Sequence, residues 1–117
     1  MAEDVVGERF VLTNSRGERR AVLTVDEQDN PLLALYAPGE RADIALGFQG
    51  GAIPVLVMRK DGRPRIGLTL QSDGTPAVVL YDAAGGARIV LDIDAGDDDG
   101  RIFVNGNLVF APTQTEP

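Results

Sequence analysis

The sequence predicts an all-β fold, an antiparallel β-meander of four 22–23-residue hairpin repeats followed by one shorter hairpin. Three observations carry this expectation. Markers recur at a fixed step: Gly17, Gly39, Gly62 and Gly85 lie 22, 23 and 23 residues apart, and Leu23, Leu46, Leu68 and Leu91 lie 23, 22 and 23 apart. Pro31, Pro54 and Pro76 keep the same step. Apolar residues alternate with others in runs of about five, the period of a strand and not of a helix. Fourteen Gly and seven Pro in 117 residues supply the reversals between runs.

The elements follow in chain order. Residues 1–9 read as a polar N-terminal segment, residues 10–110 as a single β-repeat domain, and residues 111–117 as a polar tail. Each repeat holds two strand-like runs. The first is Phe10/Leu12, then Leu33/Leu35, Leu56/Met58 and Val78/Leu80. The second is Ala21/Leu23/Val25, then Ile44/Leu46/Phe48, Ile66/Leu68/Leu70 and Ile89/Leu91/Ile93. Asp61-Gly62, Asp73-Gly74 and Gly50-Gly51 can supply the positive φ angles that tight reversals need. Proline at the start of a strand lacks only an N–H that need not join the ladder. In the fourth repeat, acids and Gly100 stand where a proline is expected. Asn105-Gly106, between RIFV and NLVF, is the strongest hairpin signal of all.

Successive strand residues point to opposite faces. The runs above therefore define one aliphatic face. The other face carries small and apolar residues such as Val22, Ala34, Ala45, Val57, Gly67, Ala77 and Val79, with Tyr36 and Tyr81, and its charges are Arg59 and Asp92. A one-sided sheet would read polar there. Both faces are thus expected to be at least partly covered. A barrel or sandwich could cover one, and other copies of the chain the second. The competing reading is that Val and Thr serve β-propensity on an exposed exterior.

Composition removes several classes of chemistry. There is no Cys and no His, which excludes disulfides, zinc sites built on those residues, and imidazole base catalysis. Eighteen acidic against eleven basic residues give a net charge of −7, a poor match to phosphate backbones, so no nucleic-acid partner is expected. No apolar run reaches the length of a membrane helix, so no membrane insertion is expected. The first ten residues, MAEDVVGERF, carry acids where a signal peptide carries a basic segment. That start reads as a cytoplasmic protein or a piece of a longer one, and the absence of Cys fits any compartment.

The repeat unit, with its Leu-x-Leu-Tyr-Asp-x-x-Gly-x-x-Arg-Ile pattern, resembles tandem β-repeats of uncharacterised bacterial proteins. The closing DGRIFVNGNLVF is similar to the V-N-G-N-L repeats of phage tail-fibre and spike shafts. Those shafts are homotrimers of stacked β-elements with aliphatic residues on an internal axis. The resemblance implies a fibre- or prism-like homo-oligomer, a trimer. The repeat is longer than that of the adenovirus-type triple β-spiral, so that geometry does not carry over.

Candidate chemistry is sparse. Asp92, Asp94, Asp97, Asp98 and Asp99 could offer carboxylates to Ca²⁺. Counting back from Gly100 puts Ala95 in the first position of an EF-hand loop, and no Glu closes it. A solvated acidic turn is the expectation, with no metal and no cofactor. Arg20, Arg65 and Arg88 recur beside turn acids such as Asp82, as a rim of ion pairs or as an anion-binding stripe. Tyr36 and Tyr81 occupy equivalent positions, for packing or for stacking on a carbohydrate. AAGGAR lacks the helix and the Lys-Ser/Thr pair of a phosphate loop. With no nucleophile–base pair evident, no catalytic residue is expected and the chain reads as a non-enzyme. Two classes remain open. One is a structural or assembly module that self-associates, with other protein components of an assembly as further partners. The other is a ligand- or partner-binding β-barrel or sandwich.

Overall fold

Turn chemistry sets the reversals of this chain, and the computed structural model, which describes residues 3–112, shows how. Asp61-Gly62 and Asn105-Gly106 are two-residue turns with φ of 51° and 77°, and of 51° and 82°. Both residues at positive φ is the type I′ requirement that matches strand twist. Longer turns use a side chain instead. Asn14 Oδ1 accepts the amides of Arg16 and Glu18, Asp26 Oδ1 those of Gln28 and Asn30, and Asp82 Oδ1 those of Ala84 and Gly86. The repeating glycines Gly17, Gly39, Gly62 and Gly85 all take positive φ, between 70° and 92°. At Gly85 a Cβ would meet nothing within 4 Å, so backbone conformation alone is what favours glycine there.

Ten antiparallel strands result: β1 Arg9–Thr13, β2 Arg19–Val25, β3 Pro31–Tyr36, β4 Ala42–Gln49, β5 Ile53–Lys60, β6 Arg63–Leu70, β7 Pro76–Tyr81, β8 Ala87–Ile93, β9 Gly100–Val104 and β10 Asn107–Phe110. They pair strictly in chain order in one sheet, with β1 and β10 as its free edges. The described residues contain no α-helix; a 3₁₀ turn, Pro38–Glu40, sits in the β3–β4 connection. The sheet does not close on itself. The barrel or sandwich that a single chain might have formed is absent, because β1 and β10 do not pair and the sheet stays open at both edges.

Register turns the sequence pattern into straight rows. Leu23, Leu33, Leu46, Leu56, Leu68, Val78 and Leu91 are successive cross-strand partners from β2 to β8. Leu35, Ile44, Met58, Ile66, Leu80 and Ile89 form a second row beside them on the same face. A third pairs Val25 with Pro31, Phe48 with Pro54 and Leu70 with Pro76, and ends with Ile93 opposite Gly100. The opposite face has its own row, Val22, Ala34, Ala45, Val57, Gly67, Val79 and Val90.

Arg20, Arg65 and Arg88 have a structural meaning the sequence did not reveal. Leu12 pairs with Ala21 and Thr13 with Arg19; Met58 pairs with Ile66 and Arg59 with Pro64; Leu80 pairs with Ile89 and Tyr81 with Ala87. In each case the skipped residue is the recurring arginine. These are β-bulges, which sharpen local twist and re-aim the extra side chain. In the second hairpin Asp43 takes the corresponding place and pairs in register with Tyr36.

Candidate interaction surface

A sheet one layer thick has nothing above it to bury a side chain fully. Among the described residues the buried positions are Val22, Ala34, Ala45, Gly67 and Ala77, and no large side chain is fully buried. All five lie on the small-residue face. They are shielded within their own layer, since a short side chain flanked by longer ones loses its access to water. Leu32 Cδ1 lies 3.2 Å from where a Cβ on Gly47 would be, and the Tyr81 hydroxyl 3.6 Å from that of Gly67. Tyr81 thus covers a glycine gap, and Tyr36 lies beneath Arg19, whose guanidinium carbon is 4.7 Å from the ring centre. Both tyrosines are engaged in packing.

Charges on the small-residue face are matched. Arg59 Nε donates to Asp43 Oδ1 at 2.9 Å, and the two are register partners. Arg101 Nε and Nη2 donate to the two oxygens of Asp92 at 2.9 and 3.0 Å, again directly across the ladder. Such opposite pairs are the sheet's own stabilising unit. The Asp92 carboxylate holds the Arg101 guanidinium above its ordinary pKa. This face is largely self-sufficient: small, internally shielded and charge-compensated.

The aliphatic face differs. Leu23, Leu35, Leu46, Phe48, Met58, Leu68 and Leu91 keep 40–49% of their surface exposed. The paired positions on this face within the rows are apolar from β2 to β8. Shallow grooves run between the rows, one lined by Leu23, Pro31, Leu33, Leu46, Phe48 and Pro54. Ten strands at about 4.8 Å, with about six residues each at about 3.3 Å, give a face of roughly 900 Å². Contiguous apolar patches on soluble monomers are usually limited to a few hundred Å². The radius of gyration, 18.2 Å against about 13.4 Å for a compact chain of this length, fits a single slab.

The acids singled out from sequence are turn-builders. Asp94 Oδ1 accepts the amide of Gly96, and Asp97 Oδ1 that of Asp99. Asp92 is held by Arg101, which also approaches Asp94 at 3.8 Å. No grouping of three or more His, Cys, Asp or Glu placed to hold a metal occurs among the described residues. Of the recurring arginines, Arg88 pairs with Asp82 at 2.7 Å, whereas Arg20 and Arg65 form no ion pair among the described residues. A continuous arginine–acid ladder along the rim is therefore not formed. The polar tail 111–117 lies mostly outside the described residues. No family model, curated protein or solved structure matches this chain.

Proposed function

We propose that this protein is a non-enzymatic structural module that works by self-association, building a fibre- or prism-like homotrimer from four equivalent 22–23-residue hairpin repeats and a C-terminal hairpin. The observation that carries this reading is the aliphatic face. It is about 900 Å², close to the roughly 800 Å² per partner of a standard stable interface. Its rows are uninterrupted by charge, whereas the other face has paired its charges and shielded its small residues. Domains normally bury an apolar sheet face against a second layer. This chain folds no second layer, so the layer comes from other copies. A closed ring satisfies identical faces at once. Three is the number that the tail-fibre resemblance of DGRIFVNGNLVF implies.

Light scattering coupled to size-exclusion chromatography tests the proposal. The expected mass at tens of micromolar protein is three times 12.4 kDa. A folded, monodisperse species of 12.4 kDa would overturn self-association, and a dimer would overturn the trimer alone.

A further inference from the structure

The meander separates charge in a way that the linear sequence conceals. Because strands pair strictly in chain order, alternate turns fall on opposite rims of the sheet. One rim holds the β1–β2, β3–β4, β5–β6, β7–β8 and β9–β10 turns; the other holds the four turns between them. Counting each turn with the strand ends that flank it, the first rim has nine basic and five acidic residues, net +4. The second has one basic and nine acidic residues, net −8. An acidic chain therefore carries one decidedly positive rim. Its centre is the β5–β6 hairpin, where Lys60, Arg63 and Arg65 line one depression. The opposing rim presents carboxylates without internal partners: those of Glu27 and Asp98 are exposed and take no part in turn hydrogen bonds or ion pairs among the described residues.

Resting on the self-association proposed above, we infer that the copies meet positive rim to negative rim, with the ring axis parallel to the hydrogen-bonding direction of the sheets. The aliphatic face has to point inward for its area to be removed from water, and two ring geometries do this. If the axis ran along the strands, rims of the same sign would gather at each end, three of net +4 at one and three of net −8 at the other. If the axis runs from β1 to β10, the strands travel around it, and each positive rim abuts the negative rim of the next copy. Charges this close lie within the roughly 8 Å screening length of physiological salt, so the first arrangement repels and the second attracts. The partner at each rim is thus a second copy of this chain, presenting its acidic turns to the basic turns of this one. The contact is head-to-tail, and it closes at three.

The experiment follows the dissociation constant of the trimer by light scattering across a dilution series of the full chain. Lys60→Gln with Arg65→Gln removes cations from one rim. Glu27→Gln with Asp98→Asn removes carboxylates from the other, and Asn tolerates the left-handed backbone at Asp98, whose φ is 60°. Both pairs are expected to loosen assembly, each by about five-fold or more. The second pair is decisive, because it also lowers the net negative charge. Generic repulsion between acidic chains would make it assemble more tightly. Tighter or unchanged assembly of that variant overturns the rim-to-rim contact while leaving self-association intact; a monomeric parent chain overturns both. Circular dichroism checks the fold, and the single variants Arg65→Gln and Glu27→Gln carry the same readout if either pair unfolds.

Discussion

At the scale of single residues, the acidity of this chain is explained more by turns than by chemistry. Asp82 shows how. Its Oδ1 accepts two amides, and its Oδ2 accepts from Arg88 Nε at 2.7 Å. The Gly86 amide first, and then Arg88, hold its carboxyl below the ordinary aspartate range. Asp73 is lowered in the same sense, chiefly by the Thr75 hydroxyl. A carboxyl whose folded pKa lies below its unfolded value stabilises the fold above the unfolded value, about 3.9 for Asp, and loses that contribution as pH falls through the folded one. Stability should therefore decline as the pH drops below about 4. Asn14 occupies the position equivalent to Asp82 and caps its turn with an amide oxygen. Asp82→Asn should keep the cap, lose the Arg88 pair and flatten the acid limb of a urea-midpoint profile between pH 7 and pH 3. An unchanged acid limb would show that other carboxyls govern it. Legibility at this scale was mixed. The glycine at the left-handed turn position could be read because only backbone strain selects it. The bulge role of Arg20, Arg65 and Arg88 could not, because a bulge is a relation between two strands and leaves no mark on one.

At the scale of strands, alternation and the constant step together were enough to read two faces, since a unit of two strands and two turns restores the same side chains to the same face. What the pattern did not show is which face needs a partner. Both read as apolar, yet Ala45 is 6% exposed and its neighbour Leu46 is 49% exposed. Side-chain length decides this: a row of Ala, Gly and Val is roofed by its own flanks, whereas Leu projects beyond them. The difference makes the aliphatic rows testable. In an isolated sheet, Leu46→Ala and Leu68→Ala would each forfeit only part of a transfer term, about 1 kcal/mol. If those side chains are buried between copies as proposed, each should cost about 2–5 kcal/mol. The double variant should then lose assembly and fold together, read by light scattering and chemical denaturation on the same samples. A double variant that stays assembled and loses only a small increment of stability would place the interface elsewhere.

At the scale of the whole molecule, the missing second layer has a thermodynamic consequence. Ordering a backbone costs about 1–2 kcal/mol per residue, and hydrophobic burial is the main term that offsets it. A ten-stranded sheet in which no large side chain is fully buried, among the described residues, has little with which to meet that cost alone. Cross-strand hydrogen bonds contribute little net, because the unfolded chain makes them with water. The edges β1 and β10 add unpaired backbone groups rather than removing them. On the proposed reading, folding of the sheet and burial of its aliphatic face are then one event, and the stable folded species is the oligomer. Mass action ties such a transition to protein concentration. The thermal midpoint should fall by several degrees on hundred-fold dilution, with secondary structure and assembly lost in step. A midpoint independent of concentration over that range, for a species whose β-signal persists after the oligomer has dissociated, would mean that the single layer is stable by itself. The rows of leucine would then be a surface that waits for a different partner.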